Sequence, residues 1–210
     1  MTGAPGAVEA VLFDLDGVLR VFEPGATAGI EARYGLAAGA LEAVAYAPDR
    51  YGPALLGRVN DDEWRASVVA GLLPLGVDVG AAIEAVADWS ATVGRVDADV
   101  AAAVAGLRGR GVRVGLVVNS TTRLELDLVV LGLAEAVDAV VNSARTGVAK
   151  PDAEIYEIAA GILTARPQRC VYVGAVHQYV AGAERVGMKG HLFDGIAGLH
   201  TMLAERLPTG

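Results

Sequence analysis

"FDLDGVL", residues 13–19, places Asp14 and Asp16 two residues apart where an apolar run ends. The run before it, "AVLF", has the length and apolarity of a buried strand. Two like charges at the end of such a strand repel, and each raises the other's pKa unless a cation or a proton lies between them. Such a pair suits two tasks: holding Mg²⁺ through hard oxygen ligands, or dividing nucleophile and acid/base work. The bland alternative is a strand end at Asp14 and a helix cap at Asp16. Gly17 follows and permits a sharp turn.

Four further stretches read as strands: "VRVGLVVN", "DAVVNS", "RCVYVG" and "KGHLFD". Each is short, apolar and bounded by polar or glycine positions. Continuous apolarity indicates strands covered on both faces, as in a parallel sheet. Helical spacing fills the intervals: Leu124, Leu128 and Leu131 on one face, Ile155, Ile158 and Ile162 on another. Asp97 reads as the N-cap of "ADVAAAVAGLRG". The fold class is therefore α/β, a doubly wound, mostly parallel sheet. In such sheets ligands bind at the carboxyl ends of the strands, where Asp14 falls.

The alternation breaks once. Between Leu19 and the region near residue 95 no convincing strand occurs, a gap too long for a βα loop. It is helical: Asn60 with Glu63 reads as a capping box, and Asp78 precedes "VGAAIEAVADWSA" in the same way. The expected organisation is a core of residues 1–19 and 95–210 with a small helical insertion at 20–94.

Composition narrows the class. The 210 residues are 53% hydrophobic and 20% charged, which marks a globular chain. Mean hydropathy is +0.43, carried by alanine, valine and glycine, and no apolar run reaches transmembrane length. "MTGAPGAVEA" has neither a basic region nor a long apolar stretch and does not read as a secretory signal. A net charge of -8 without a basic stripe argues against a nucleic-acid partner. The single cysteine, Cys170, points to a reducing cytoplasm and reads as a buried small hydrophobe.

"FDLDGVL" resembles the first motif of the haloacid dehalogenase superfamily. "GVAKPDAEIYEIAA" resembles its third motif, and "VYVGAVHQYVAGAERVGMKG" the stretch around its fourth. Order and spacing match over nearly the whole chain, and the insertion matches a cap domain. The resemblance implies a hydrolase of phosphomonoesterase type acting on a small phosphorylated metabolite. Asp14 attacks phosphorus and forms an aspartyl-phosphate. Asp16 protonates the leaving group and then activates water. Mg²⁺ is held by the Asp14 carboxylate and the Asp16 main-chain carbonyl, and Lys150 offsets negative charge. Pro151 is expected in the first turn of a helix whose N-terminus favours anions.

Two motifs depart from the family pattern. Ala175 stands where an acid completes the Mg²⁺ site, and Tyr179 aligns with a second acid, so metal binding is weakened or lost. Val118 replaces the serine or threonine of the second motif. Asn119 matches the usual next residue and, with Ser120, is a candidate for substrate binding. Ser120 or Thr121 supplies the missing hydroxyl only if the loop is shifted, and both are expected to cap the following helix. The departures support a second reading, a catalytically impaired binding or interaction module. A metal-free dehalogenase ranks third, because its first motif carries tyrosine where Asp16 stands. His177 is expected as a polar loop residue, since imidazole suits Mg²⁺ poorly. Arg20 is expected as a surface arginine at the hinge, with contact to an anionic substrate the alternative. Trp64 and Trp89 are expected in the core of the insertion.

Overall fold

A computed structural model describes residues 8–207. The leader-free reading of the N-terminus rests largely on residues 1–7, which lie outside that range. The elements, in chain order, are β1 (Ala10–Phe13), β2 (Arg20–Val21), α1 (Ala26–Arg33), α2 (Ala40–Ala45), α3 (Pro48–Leu55), α4 (Asp61–Leu72), α5 (Val79–Ala91) and β3 (Arg95–Val96). They continue with α6 (Ala98–Gly109), β4 (Arg113–Val118), α7 (Leu124–Val130), β5 (Ala139–Asn142), α8 (Ser143–Thr146), α9 (Ala153–Ile162), β6 (Cys170–Gly174), α10 (His177–Arg185), β7 (Lys189–Leu192) and α11 (Ile196–Arg206).

Five strands form one parallel sheet in the order β5-β4-β1-β6-β7. The chain builds outward from β1 to β4 and β5, then crosses to β6 and β7. The carboxyl end of β1 therefore lies at the reversal of strand order, where open α/β sheets bind ligands. Side chains alternate between two layers. Val11 and Phe13 join Val114, Leu116 and Val173 in the core shared with α6, α7 and α11. Ala10 and Leu12 join Val117, Cys170 and Tyr172 in the core shared with α9 and α10. Parity sends Asp14 to the second layer, the layer of Tyr172.

Helices α1–α5 have a hydrophobic core of their own around Leu41, Trp64, Val68, Leu72 and Val86. Both caps expected there form. Asn60 and Glu63 make the reciprocal capping box of α4, and Asp78 caps α5. Glu31 is buried but satisfied, accepting from the Gly39 and Leu41 N–H groups. The segment touches the α8 turn at Gly57, whose φ of 66° is left-handed and where an added Cβ would collide with the Ala144 carbonyl oxygen. Gly57→Ala is expected to cost about 2 kcal/mol, from the left-handed backbone and the overpacking together, read as a lowered melting temperature.

Several expectations need correction. Two short strands missed in the sequence, β2 and β3, pair antiparallel at the two ends of the helical segment. Pro151 is not in a helical first turn: α9 starts at Ala153 with Asp152 as N-cap. His177 begins α10 rather than lying in a loop. Ile162 is exposed, while Ile155 is buried on the predicted face. Cys170 is fully buried, and burial pushes its thiol up to about 11. The thiolate is the reactive form, so a thiol-specific reagent at pH 8 is expected to label Cys170 only after denaturation.

Candidate active site

Asp14 follows the last residue of β1, held by its N–H on the Val173 carbonyl at 2.8 Å. Its carboxylate is buried with Lys150, whose Nζ lies 2.5 Å from Oδ1; the two side chains are 6% and 0% exposed. The Leu15 N–H donates to Oδ1 at 2.9 Å, and the Tyr172 hydroxyl donates to Oδ2 at 3.4 Å. Lys150 Nζ also reaches the Tyr172 oxygen at 3.3 Å and lies 4.6 Å from the centroid of the Tyr179 ring. Burial pushes the Asp14 carboxyl above its ordinary value, against the opposing pull of Lys150. Burial likewise lowers the Lys150 ammonium, against the pull of Asp14.

Asn119 fixes the Lys150 loop. Its Oδ1 accepts from the Lys150 N–H at 2.8 Å and its Nδ2 donates to the Lys150 carbonyl at 3.0 Å. Asn119, a predicted substrate binder, is thus also a positioning residue for Lys150. Ser120 is joined to Ser143: its N–H donates to Ser143 Oγ at 3.0 Å, and that hydroxyl donates to the Ser120 carbonyl at 3.2 Å. Ser120 does not provide the expected helix cap, whereas Thr121 Oγ1 accepts from the Arg123 N–H at 3.4 Å at the entry to α7. Arg123 is the N-cap of α7, without a side-chain cap bond. Thr121 Oγ1 also donates to Asp61 Oδ1 at 2.5 Å, tying the sheet to α4.

Asp16 lies at the surface of the same turn, its side chain 48% exposed. Arg20 grips it with both arms of its guanidinium, Nε to Oδ1 at 2.5 Å and Nη2 to Oδ2 at 3.0 Å. This fork is the bidentate geometry that lysine does not supply. Arg20 also stands 3.5 Å from Asp127 on α7 and 5.1 Å over the Phe22 ring. The expectation of a surface arginine is wrong: Arg20 is 6% exposed. Burial lowers its pKa, and its bonds to Asp16 more than reverse that, leaving it raised. Arginine alone after a motif gives no sign of its burial. The informative signal would have been its four-residue spacing from Asp16, which allows a local ion pair.

A cavity of about 140 Å³ opens between the helical segment and the sheet. Asp16, Arg20, Asn119, Ser120, Trp64 and Trp89 lie on its wall. Trp64 is buried as expected, while Trp89 is half-buried and only packs against the core. Asp14 and Lys150 do not line the cavity.

Beside the Asp16 main-chain carbonyl, the side chains present offer protein-held Mg²⁺ little: Asp14 is paired with Lys150 and position 175 carries no acid. Among the described residues, no three His, Cys, Asp or Glu side chains converge. The Asp14 oxygens already accept from Lys150, Leu15 and Tyr172, and the Asp16 carboxylate belongs to Arg20. The Ala175 methyl is directed at the turn after β1, 3.0 Å from where a Cβ on Gly17 would lie. Asp152 and Asp194 bring no additional carboxylate into a cluster.

The fold is thus an open parallel α/β sheet with a buried aspartate–lysine pair at the carboxyl end of its central strand. The family model for haloacid dehalogenase-like hydrolases matches residues 8–187, and the chain belongs to that family. Phosphatase MT3486 of Mycobacterium tuberculosis (strain CDC 1551 / Oshkosh) is 31% identical over 98 residues, 46% of this chain and 45% of that protein. A ribulose-1,5-bisphosphate 5-phosphatase of Halopiger xanaduensis is 36% identical over 90 residues, 42% and 38% of the two chains. The chain thus spans less than half the length of these curated relatives. Among solved structures, a dehalogenase with an intermediate complex superimposes with a TM-score of 0.74 at 15% identity, covering 99% of this chain and 100% of that one. A family enzyme from Bacteroides thetaiotaomicron, bound to magnesium and inorganic phosphate, gives 0.69 at 14% identity, covering 89% and 94%. At these identities the structures establish the fold.

Proposed function

We propose that this chain hydrolyses small phosphomonoesters through an aspartyl-phosphate on Asp14. The observation that carries the reading is the buried Asp14–Lys150 pair at the strand-order reversal, 2.5 Å apart. An Asp14 oxygen attacks phosphorus while the ester oxygen departs, taking a proton from Asp16. Water then attacks phosphorus with Asp16 as base, releasing inorganic phosphate and restoring Asp14. Lys150 supplies positive charge beside the transferring group, where phosphoryl transfer depends on charge stabilisation and positioning. Helices α1–α5 act as the cap that shields this chemistry from water. The phosphatase names of two relatives support the reaction class.

No step is assigned to Mg²⁺, and its effect on turnover is expected to be small, because the Asp14 carboxylate that the motif gives it is taken by Lys150 and position 175 carries no acid. A small-molecule substrate accords with the net charge of -8, which disfavours nucleic acid. Among the described residues, no helix is long and apolar enough to cross a membrane. A reducing compartment such as the cytoplasm suits the single buried thiol.

A second reading, an impaired binding module, is favoured by one observation: Arg20 takes both oxygens of Asp16, the proposed acid/base. Hydrolysis of an aryl phosphate with and without Mg²⁺, against Asp14→Asn as blank, separates the two. Turnover that disappears in Asp14→Asn, with the variant's melt confirming that it folds, is the expected outcome. Turnover equal to the blank across several divalent metals would favour the binding module.

A further inference from the structure

We infer that the cavity between α1–α5 and the sheet is a binding site for a small oxyanion, a phosphate or carboxylate group, received by Arg65 and Arg123. Neither Asp14 nor Lys150 takes part, so the site goes beyond the phosphatase reading. Arg65 lies on α4 and Arg123 at the entry to α7, and both line the cavity. Each is held by a carboxylate one helical turn away. Arg65 Nε lies 2.6 Å from Asp61 Oδ2, and Arg123 Nε donates to Asp127 Oδ1 at 3.0 Å. Asp61 is in turn held by Thr121, and Asp127 by Arg20. The two guanidiniums are therefore anchored rather than free to swing.

Their outer ends are unpartnered. Among the described residues, no hydrogen bond is made by Nη1 or Nη2 of Arg65 or of Arg123. Arg65 Nε is itself buried, and its pair with Asp61 is not an aligned hydrogen bond. Arg20, the third arginine of the wall, differs: its Nε, Nη1 and Nη2 all donate to carboxylates. Burial lowers the Arg65 guanidinium from its ordinary value and the like charge of Arg123 lowers it further, while Asp61 and Asp127 only partly offset this. Two planar forks beside one cavity, each incompletely compensated, match the paired oxygens of a phosphate or carboxylate. Ser120 Oγ, on the same wall and without a hydrogen bond among the described residues, is a further neutral donor.

The wall also carries Asp16, Asp61 and Asp127, which match the three arginines in number. The site therefore attracts through directed donors rather than through net charge, and its affinity is expected in the millimolar range, roughly -4 kcal/mol. Size limits the ligand. The cavity measures about 140 Å³. A water in the liquid takes about 30 Å³, so roughly four or five heavy atoms fit, the size of inorganic phosphate or acetate. An anion shared by Arg65 and Arg123 ties the helical segment to the sheet, alongside the bond from Thr121 to Asp61.

The two tryptophans of the chain both border the cavity, so intrinsic fluorescence reports on its occupancy. The intact chain is titrated with inorganic phosphate, and separately with acetate, at an ionic strength held constant with chloride. A saturable change is expected with at least one of them, and the tighter of the two identifies the oxyanion. Arg65→Lys and Arg123→Lys keep a cation beside each carboxylate but lose the fork. Each is expected to weaken binding at least five-fold with a melting temperature close to that of the parent. Asp14→Asn is expected to bind within two-fold of the parent, which separates this site from the proposed catalytic one. No saturable change with either anion in the parent, or unchanged affinity in both lysine variants, would overturn the inference. Anion binding weakened in the lysine variants, without hydrolysis by the parent, would leave it standing and remove the phosphatase reading alone. Hydrolysis with unchanged anion affinity in the lysine variants would do the reverse.

Discussion

Lys150→Met is expected to destabilise the chain by about 3–5 kcal/mol, the usual cost of removing one partner from a buried ion pair. For a chain of this size that corresponds to a melting temperature lower by roughly 6–20 °C. The reason is the carboxylate left behind. Asp14 is 4% exposed, and its remaining donors are the Leu15 N–H and the Tyr172 hydroxyl. The deficit depends on pH, with a definite sign. Burial already raises Asp14 in the folded chain, and Lys150 is the main influence that lowers it. Without Lys150 it rises further. A group whose folded pKa is raised contributes stability present below its unfolded value and lost as pH rises through its folded value. The variant is therefore more destabilised at pH 8 than at pH 5. Asp14→Asn combined with Lys150→Met removes both charges and is expected to recover most of the loss and to flatten the pH response attributable to the pair. Thermal melts at the two pH values test this. A loss under about 1 kcal/mol would mean that water reaches the pair.

Ala175→Asp is expected to give a larger response to Mg²⁺ than the natural sequence. The Ala175 side chain is exposed and already directed at the Gly17 turn, so a carboxylate there faces the region of Asp14 and Asp16. Mg²⁺ is commonly held by one or two carboxylates with waters filling the remaining positions. At a concentration 100-fold above its dissociation constant, a ligand specific for the folded state stabilises it by about 2.7 kcal/mol. The variant is expected to melt roughly 5–10 °C higher with saturating Mg²⁺ than with chelator, and the parent by less than about 1 °C. Equal shifts in both proteins would mean that the parent holds the ion without this residue.

The sheet was legible because each of its strands is a short, apolar block with polar flanks. All five such blocks became strands, and the capping residues Asn60, Asp78 and Asp97 cap the helices they precede. The paired strands β2 and β3 were not legible, since two residues carry no periodicity. Pro151 misled because proline is common in a first helical turn, yet the turn here opens two residues later, at Ala153. Within the site, Asp14, Asp16, Asn119 and Lys150 are brought to one strand-end region, as the motifs imply. Arg20 was noted without its burial, and Tyr172 was missed. Tyr172 sits inside a strand and reads as an ordinary core residue. Only register shows that it shares the face of Asp14, with Leu12 as its neighbour on β1. Tyr179 was noted as a missing acid. Its ring against the Lys150 ammonium is a contact that charge patterning cannot reveal.

The pairing of Arg20 with Val96 and Val21 with Arg95 bears on how the gene could change. Antiparallel neighbours lie about 5 Å apart, so the helical segment leaves and rejoins the sheet through one narrow neck. Everything from Phe22 to Gly94 is topologically a single excursion. A two-residue hairpin turn across the neck would close the chain without moving β1 or α6. The segment could thus be exchanged as a cassette for one with a different cavity, while the strand end carrying Asp14 stays in place.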